Sequence, residues 1–121
     1  MLEPIQVTRD DVLGFKAIGR VTGEDYEKTL VPAMEEAIKA HGKIRFLYEY
    51  GPEFESFNPR ALWDDAKVGF RHLRDFERIA VVSDIEWITH GVKLFEFAIP
   101  YPVRVFPTAE REAALAWIAE D

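Results

Sequence analysis

The sequence predicts an α/β domain, a single mixed five-stranded sheet with four main helices in the order ββαβαβαβα, spanning residues 1–121. Three observations predict it. Short runs of β-branched and aromatic residues alternate with longer segments whose apolar residues recur every three or four positions, and strands separated by helices pair in parallel through right-handed crossovers. The turn Arg9-Asp10-Asp11 is of hairpin length, which makes the first strand antiparallel to the second. Composition supports one core and no second domain: the 121 residues are 48% hydrophobic and 13% aromatic, with no repeat or compositional break.

Each element has a local reason. Ile5 to Thr8 reads as a short strand, and Val12 to Arg20 as a second with Phe15, Ile18 and Val21 as apolar points. Thr22 followed by Asp25 is a helix start. The stripe Tyr26, Leu30, Met34, Ile38 keeps one helix face, interrupted by Pro32, where a kink or restart is expected. His41-Gly42 ends it with a left-handed cap, His41 facing the helix dipole. Ile44 to Tyr50 is a buried strand stopped by Gly51-Pro52, with residues 51–58 as a loop. Asn58-Pro59 opens a helix with the stripe Leu62, Ala66, Phe70, Leu73. Ile79 to Val82 is a short apolar strand. Ser83 with Glu86 matches a capping box and opens a helix through Ile99, which Pro100 and Pro102 end. Val103 to Phe106 is the last strand. Thr108 caps a final helix, Ala109 to Glu120, with Ala114, Trp117 and Ile118 inward.

Charge and residue counts exclude several function classes. Lys plus Arg is 15 against 22 Asp plus Glu, a net charge of -7. Nucleic-acid affinity rests on neutralising phosphates, so no nucleic-acid partner is expected, and an anionic bilayer gains no electrostatic attraction. The absence of cysteine excludes a disulfide scaffold, a thiolate zinc site and a cysteine nucleophile. Met1 to Asp11 carries three acids and no apolar run, so neither a signal peptide nor a spanning helix is expected and the location is read as cytoplasmic.

Catalytic signatures are lacking. There is no glycine-rich phosphate cradle, paired-histidine zinc motif or nucleophile elbow. His41, His72 and His90 fall on three different elements, so no spacing gathers metal ligands, and no metal or cofactor is expected. A triad of His90 with Ser83 or Asp84 is a combination that any chain with several acids permits. The reading is of a protein that is not an enzyme.

The helix from Ser83 to Ile99 is the informative segment. Ile85, Ile88, Val92, Phe95 and Ile99 form one stripe that docks it on the sheet. Trp87, Leu94, Phe97 and Ala98 lie off that stripe, so the helix is apolar around most of its circumference and asks for cover on a second side. Three readings stay open: neighbouring helices cover that side, an apolar ligand sits beneath it, or it is a self-association surface. On the preceding helix, Lys67, Arg71 and Arg74 form a basic stripe. It is either a solvated face, with Asp64 pairing Lys67 and Asp75 pairing Arg71, or a clamp for an anionic headgroup.

Several segments carry a resemblance. Val31-Pro32, Gly42-Lys43-Ile44-Arg45, Ser83-Asp84-Ile85-Glu86-Trp87, Val103-Arg104-Val105-Phe106 and Ala113-Ala114-Leu115-Ala116-Trp117-Ile118 resemble the SpoIIAA-like family, across essentially the whole chain. The resemblance implies relatedness to STAS domains and a fold similar to that of CRAL-TRIO domains. It also implies a non-enzymatic binding or regulatory module with an apolar ligand site and membrane association. The phosphorylatable serine of anti-sigma-factor antagonists does not carry over. Ser56 is the only serine or threonine between Glu49 and Pro59, it is not at the helix cap, and Glu53 and Glu55 would repel a phosphate.

Two function classes follow. The first is a binding module for a lipid-like or other amphipathic small molecule in a cleft under helix 83–99. Trp87, Leu94 and Phe97 would line it, Lys67 or Arg71 would meet the anionic end, and His90 completes the candidate set. The second is a STAS-like regulatory module or homodimer that uses the same helix as its interface.

Overall fold

The computed structural model describes residues 1–72 and 74–120, without the side chains of Leu62, Asp64, Asp65, Ala66, Phe70 and Phe95. Its sheet has five strands: β1 (Leu2–Pro4), β2 (Val12–Val21), β3 (Ile44–Phe57), β4 (Phe76–Ser83) and β5 (Val103–Phe106). They lie side by side in sequence order, β1 antiparallel to β2 and the rest parallel. Every parallel step moves the same way across the sheet, so right-handed crossovers put the intervening helices on one face. These are α1 (Gly23–Asp25) running through a π-helical turn into α2 (Val31–His41), then α3 (Pro59–Arg71) and α4 (Glu86–Phe95). The helix α5 (Arg111–Ala119) follows β5 and covers the opposite face.

Strand alternation builds a core on each face. Phe15, Phe46, Tyr48, Tyr50 and Phe76 pack toward α2, α3 and α4. Val12, Leu47, Ala80, Val82 and Phe106 meet Ala114 and Ile118 of α5. Along β3 the aromatic rings form a continuous line. Phe46 and Tyr48 centroids are 5.7 Å apart, Tyr48 stacks on Tyr50 at 4.5 Å, and Tyr50 meets Phe57 at 5.7 Å. The buried hydroxyls of Tyr26 and Tyr48 lie 3.0 Å apart, so the first helix is fixed to this line by a polar contact as well as by packing.

Most helix signals act as expected. Thr22 accepts from the Asp25 amide and donates its own amide to the Asp25 carboxylate, a complete capping box. A π-helical turn, Tyr26–Leu30, precedes α2 at the expected interruption, and Pro32 follows it in the first turn of α2, so the lost amide donor and the clash of its ring fall where the helix has widened. Gly42 closes α2 at φ 81, in the left-handed region. Asn58 accepts from the Ala61 amide at 2.8 Å. The stripe expected on α3 includes Leu62, Ala66, Phe70 and Leu73, whose side chains lie outside the described residues.

Several boundaries differ from expectation, among them β4, which begins at Phe76 rather than Ile79, and α4, which ends at Phe95 with a 3-10 turn after it rather than running to Ile99. β1 lies at Leu2–Pro4 rather than at 5–8, because Ile5 and Val7 turn to pack with the α5-side core. β3 does not stop at Gly51-Pro52. Its pairing with β2 passes from Ala17↔Tyr50 to Gly19↔Phe54, so residues 51–53 bulge opposite Ile18 and the strand resumes to Phe57. Proline is tolerated in such a bulge, and Gly19, at φ 63, supplies the matching bend in β2. Ser83 does not cap α4: it ends β4, buried, and its hydroxyl accepts from the Ile85 amide at 3.0 Å, leaving Ile85 at the cap position without a side-chain bond. Thr108 does not cap α5 either. It opens a 3-10 turn, Thr108–Glu110, and its hydroxyl and amide both donate to the Asp84 carboxylate.

The second face is held by charge as well as by packing. Glu49, buried on β3, accepts from Arg111 Nε at 2.9 Å at the start of α5. At its end, Arg45 and Arg78 donate to main-chain carbonyls of residues 117, 118 and 120, and Arg9 donates to the Ala119 carbonyl. Trp117 is partly buried rather than fully inward, with Arg78 and Arg104 approaching its ring at 4.9 and 5.3 Å.

Candidate ligand and interaction site

α4 owes its position to one apolar stripe. Ile88 is buried, and Ile85 and Val92 are partly buried against the sheet. The expected contribution of Phe95 lies outside the described side chains. Pointing away from that stripe, Trp87, Leu94 and Phe97 are 56%, 65% and 87% exposed. The second apolar side of this helix is therefore uncovered, and the reading in which neighbouring helices bury it is overturned. The reason is topological: α4 is the last crossover on its face, so no helix follows to flank it.

Trp87, His90, Leu94 and Phe97 recur at spacings of three, four and three, which places them along one outward side of the helical run 86–98. The Trp87 ring also meets Phe57 edge-on at 6.2 Å, joining the outer surface to the aromatic line of the core. His90 is exposed and borders an open groove of about 380 Å³ at the carboxyl ends of β4 and β5, with Ser83, Asp84, Glu86 and Lys93. There the Thr108 hydroxyl and amide hold the Asp84 carboxyl below its usual range. The Ser83 hydroxyl accepts from the Ile85 amide, and among the described residues no hydrogen bond joins it to His90 or Asp84.

On α3, the crossover helix before α4, Lys67 and Arg71 are exposed along one stripe with Arg60 and Trp63. The expected pairing of Arg71 with Asp75 is not made. Asp75 takes the His72 ring at 2.9 Å, while Arg71 reaches Glu35 of α2 at 4.0 Å. Arg60 pairs with Glu27. The acids of the first helical segment thus lie along α3, a cross-helix arrangement that spacing within α3 does not reveal. The expected partner of Lys67, Asp64, falls outside the described side chains. Trp63, 64% exposed, was not among the sequence candidates, although its position four residues before Lys67 marks it as part of the same stripe. Among the described residues no cluster of metal-ligating side chains occurs, and no helix is long and apolar enough to cross a membrane.

Comparison with known proteins agrees with this architecture. A solved structure of an uncharacterised protein from Shewanella loihica, with a SpoIIAA-like fold, superposes with a TM-score of 0.77. It is 27% identical, over 98% of this chain and 93% of that one. No protein of curated function matches. The family model described as SpoIIAA-like matches residues 12–119, and the chain belongs to the SpoIIAA-like family.

Proposed function

We propose that the protein is a non-enzymatic binding module for a lipid-like or other amphipathic molecule, received not in a cleft under α4, where the spacing put it, but on the outer side of that helix, because Trp87, Leu94 and Phe97 face away from the sheet. The observation that carries this reading is the exposure of Trp87, Leu94 and Phe97 on a helix already seated by its other side. Trp87 and Phe97 alone present on the order of 300 Å² of apolar surface, comparable with the largest patch on a typical monomer, which is often functional. Lys67 and Arg71 stand on α3, the preceding crossover helix, and would meet an anionic end, Arg71 on giving up its long contact with Glu35. Burying about 200 Å² of this surface favours association by roughly 5 kcal/mol before ordering costs, which corresponds to micromolar or weaker binding.

A second reading, a regulatory module or homodimer with the same helix as interface, is favoured by the outward placement of these rings on an open surface. One experiment separates the two. The double variant Trp87→Ala, Phe97→Ala removes rings that are more than half exposed, so it folds, and it is followed by binding of a fluorescent fatty acid and by sedimentation. Lost fatty-acid binding in a protein that sediments as a monomer before and after supports the ligand reading. Conversion from dimer to monomer supports the interface. Unchanged binding and unchanged sedimentation overturn both.

A further inference from the structure

We propose a second binding site, independent of the α4 surface, for an organic anion: a phosphate or carboxylate borne on a small flat apolar body. It lies at the amino ends of β3, β4 and β5, where an open groove of about 480 Å³ runs between the turn before β3 and the loop before β5. That volume is in the range of small-molecule sites.

Two cations line this groove without partners. Lys43 follows the Gly42 turn and Arg74 precedes β4, and neither makes an ion pair or hydrogen bond among the described residues. Lys16, Lys28, Arg45, Arg60 and Arg111 hold carboxylates, whereas the charges of Lys43 and Arg74 are both left to this one groove. The acid at the groove, Glu77, is engaged by another base. Its Oε1 accepts from Arg45 Nε at 3.2 Å and Nη2 at 2.7 Å, so its charge is already balanced from the other side of the strand. Two cations lining one groove attract an anion placed between them.

The remaining wall sets the rest of the ligand. Tyr101 is half-buried, and burial pushes its phenol up to about 12, so its hydroxyl remains a donor at neutral pH. Its ring lies 6.0 Å from that of Phe76, and Pro100 and Pro102 flank it with apolar surface. A guanidinium fork, an ammonium and a phenol suit a carboxylate or phosphate. The aromatic and proline surface suits a planar ring beside it.

The test is an amide chemical-shift titration of isotopically labelled protein with phenyl phosphate, benzoate and inorganic phosphate. Phenyl phosphate should shift the amides of Lys43, Phe76 and Tyr101 with a Kd on the order of 1 mM, as expected for a few charge-assisted contacts in an open groove. Inorganic phosphate should bind several-fold more weakly, and comparison with benzoate distinguishes a phosphate from a carboxylate site. Lys43→Ala with Arg74→Ala, both at exposed positions, should lose about tenfold or more, and Tyr101→Phe about threefold. Trp87→Ala with Phe97→Ala should leave the titration unchanged, which keeps this site separable from the α4 surface. Absence of shifts at these amides up to about 20 mM phenyl phosphate overturns the proposal, since even millimolar affinity saturates well below that concentration. Equal binding by inorganic phosphate, or undiminished binding by the double variant with the parent's spectrum otherwise intact, overturns it too.

Discussion

Arg45 Nη1, on a residue only 4% exposed, donates to the main-chain carbonyl of Ile118 at 3.0 Å, joining the second residue of β3 to the end of α5 across 73 residues of sequence. The last carbonyls of a helix have no partner within it. Here Arg45, Arg78 and Arg9 supply the missing donors, while the positive charges oppose the negative end of the helix dipole. A nine-residue helix is too short to stand on its own propensity. Its N-terminal contact, Arg111 to Glu49, and its C-terminal arginines therefore fix both ends to the sheet.

Arg45→Met should lower stability by about 2–4 kcal/mol, because buried carbonyls lose their donors and Glu77 loses its partner. Glu77→Gln should cost less than about 1 kcal/mol, since Glu77 is 47% exposed and water replaces the contact. Urea midpoints with unchanged slopes would establish both. An equal cost for the two variants would show that the ion pair, and not the helix carbonyls, is what Arg45 is for.

Gly42 and Gly91 should respond oppositely to alanine. Neither would place a Cβ within 4 Å of another group, so packing does not enter. Gly42 has a φ of 81, and Gly42→Ala should destabilise by about 1 kcal/mol. Gly91 lies within α4, and Gly91→Ala should stabilise by about 0.5–1 kcal/mol. Thermal midpoints moving in the same direction would contradict this account.

The capping box at Thr22 should weaken in acid. Burial pushes the Asp25 carboxyl upward, but the Thr22 amide, the N-terminal ammonium and the Thr22 hydroxyl outweigh it and bring the value below the ordinary 3.8. A carboxylate with a depressed value stabilises the fold above its unfolded-state pKa and loses that contribution as pH falls through its folded value. Stability should therefore drop as pH falls below about 4, and Asp25→Asn should flatten part of that slope at the cost of stability near neutrality. Asp11, which Arg9 holds low against the effect of its burial, should contribute in the same direction. Urea titrations at several pH values read the slope directly; a parent protein with flat stability from pH 5 to about 3 would contradict it.

Ser56→Asp should leave sedimentation unchanged and alter stability by less than about 0.5 kcal/mol. Ser56 is exposed, paired in register with Arg20 of β2, and lies on a strand rather than at a helix start. A change in oligomeric state on this substitution would restore a phosphoserine switch to consideration.

The fold was legible because its signals are local and agree with one another. Thr22 with Asp25, Gly42, and Asn58-Pro59 each fix one helix boundary through contacts within four residues. The misread boundaries depend on distant partners. Gly51-Pro52 reads as a stop until β2, with its bend at Gly19, offers the emerging chain a second stretch to pair with. Thr108 reads as a cap until Asp84, 24 residues earlier, takes its hydroxyl and amide. At the candidate site, the apolar excess of α4 was visible from spacing, but whether a neighbour covered it was a question of topology. The groove of Lys43 and Arg74 left no trace in the sequence, because its two cations come from turns brought together only by the parallel pairing of β3 and β4.

The length of β3 has a consequence for solubility. Its pairing with β4 ends at Tyr50↔Ser83, while its pairing with β2 runs to Phe57, so residues 51–57 form a stretch of strand without a β4 neighbour. Such a stretch invites the edge of another molecule. Pro52 has no amide to offer, the bulge distorts the ladder, and Glu53, Glu55 and the preceding glycine make the segment a poor template for stacking. The residues that make this segment read as a loop are also guards against intermolecular sheet growth. Replacing Pro52, Glu53 and Glu55 with threonine or valine should turn a well-behaved strand into a seed for fibrils, detectable by thioflavin fluorescence under conditions where the parent stays clear.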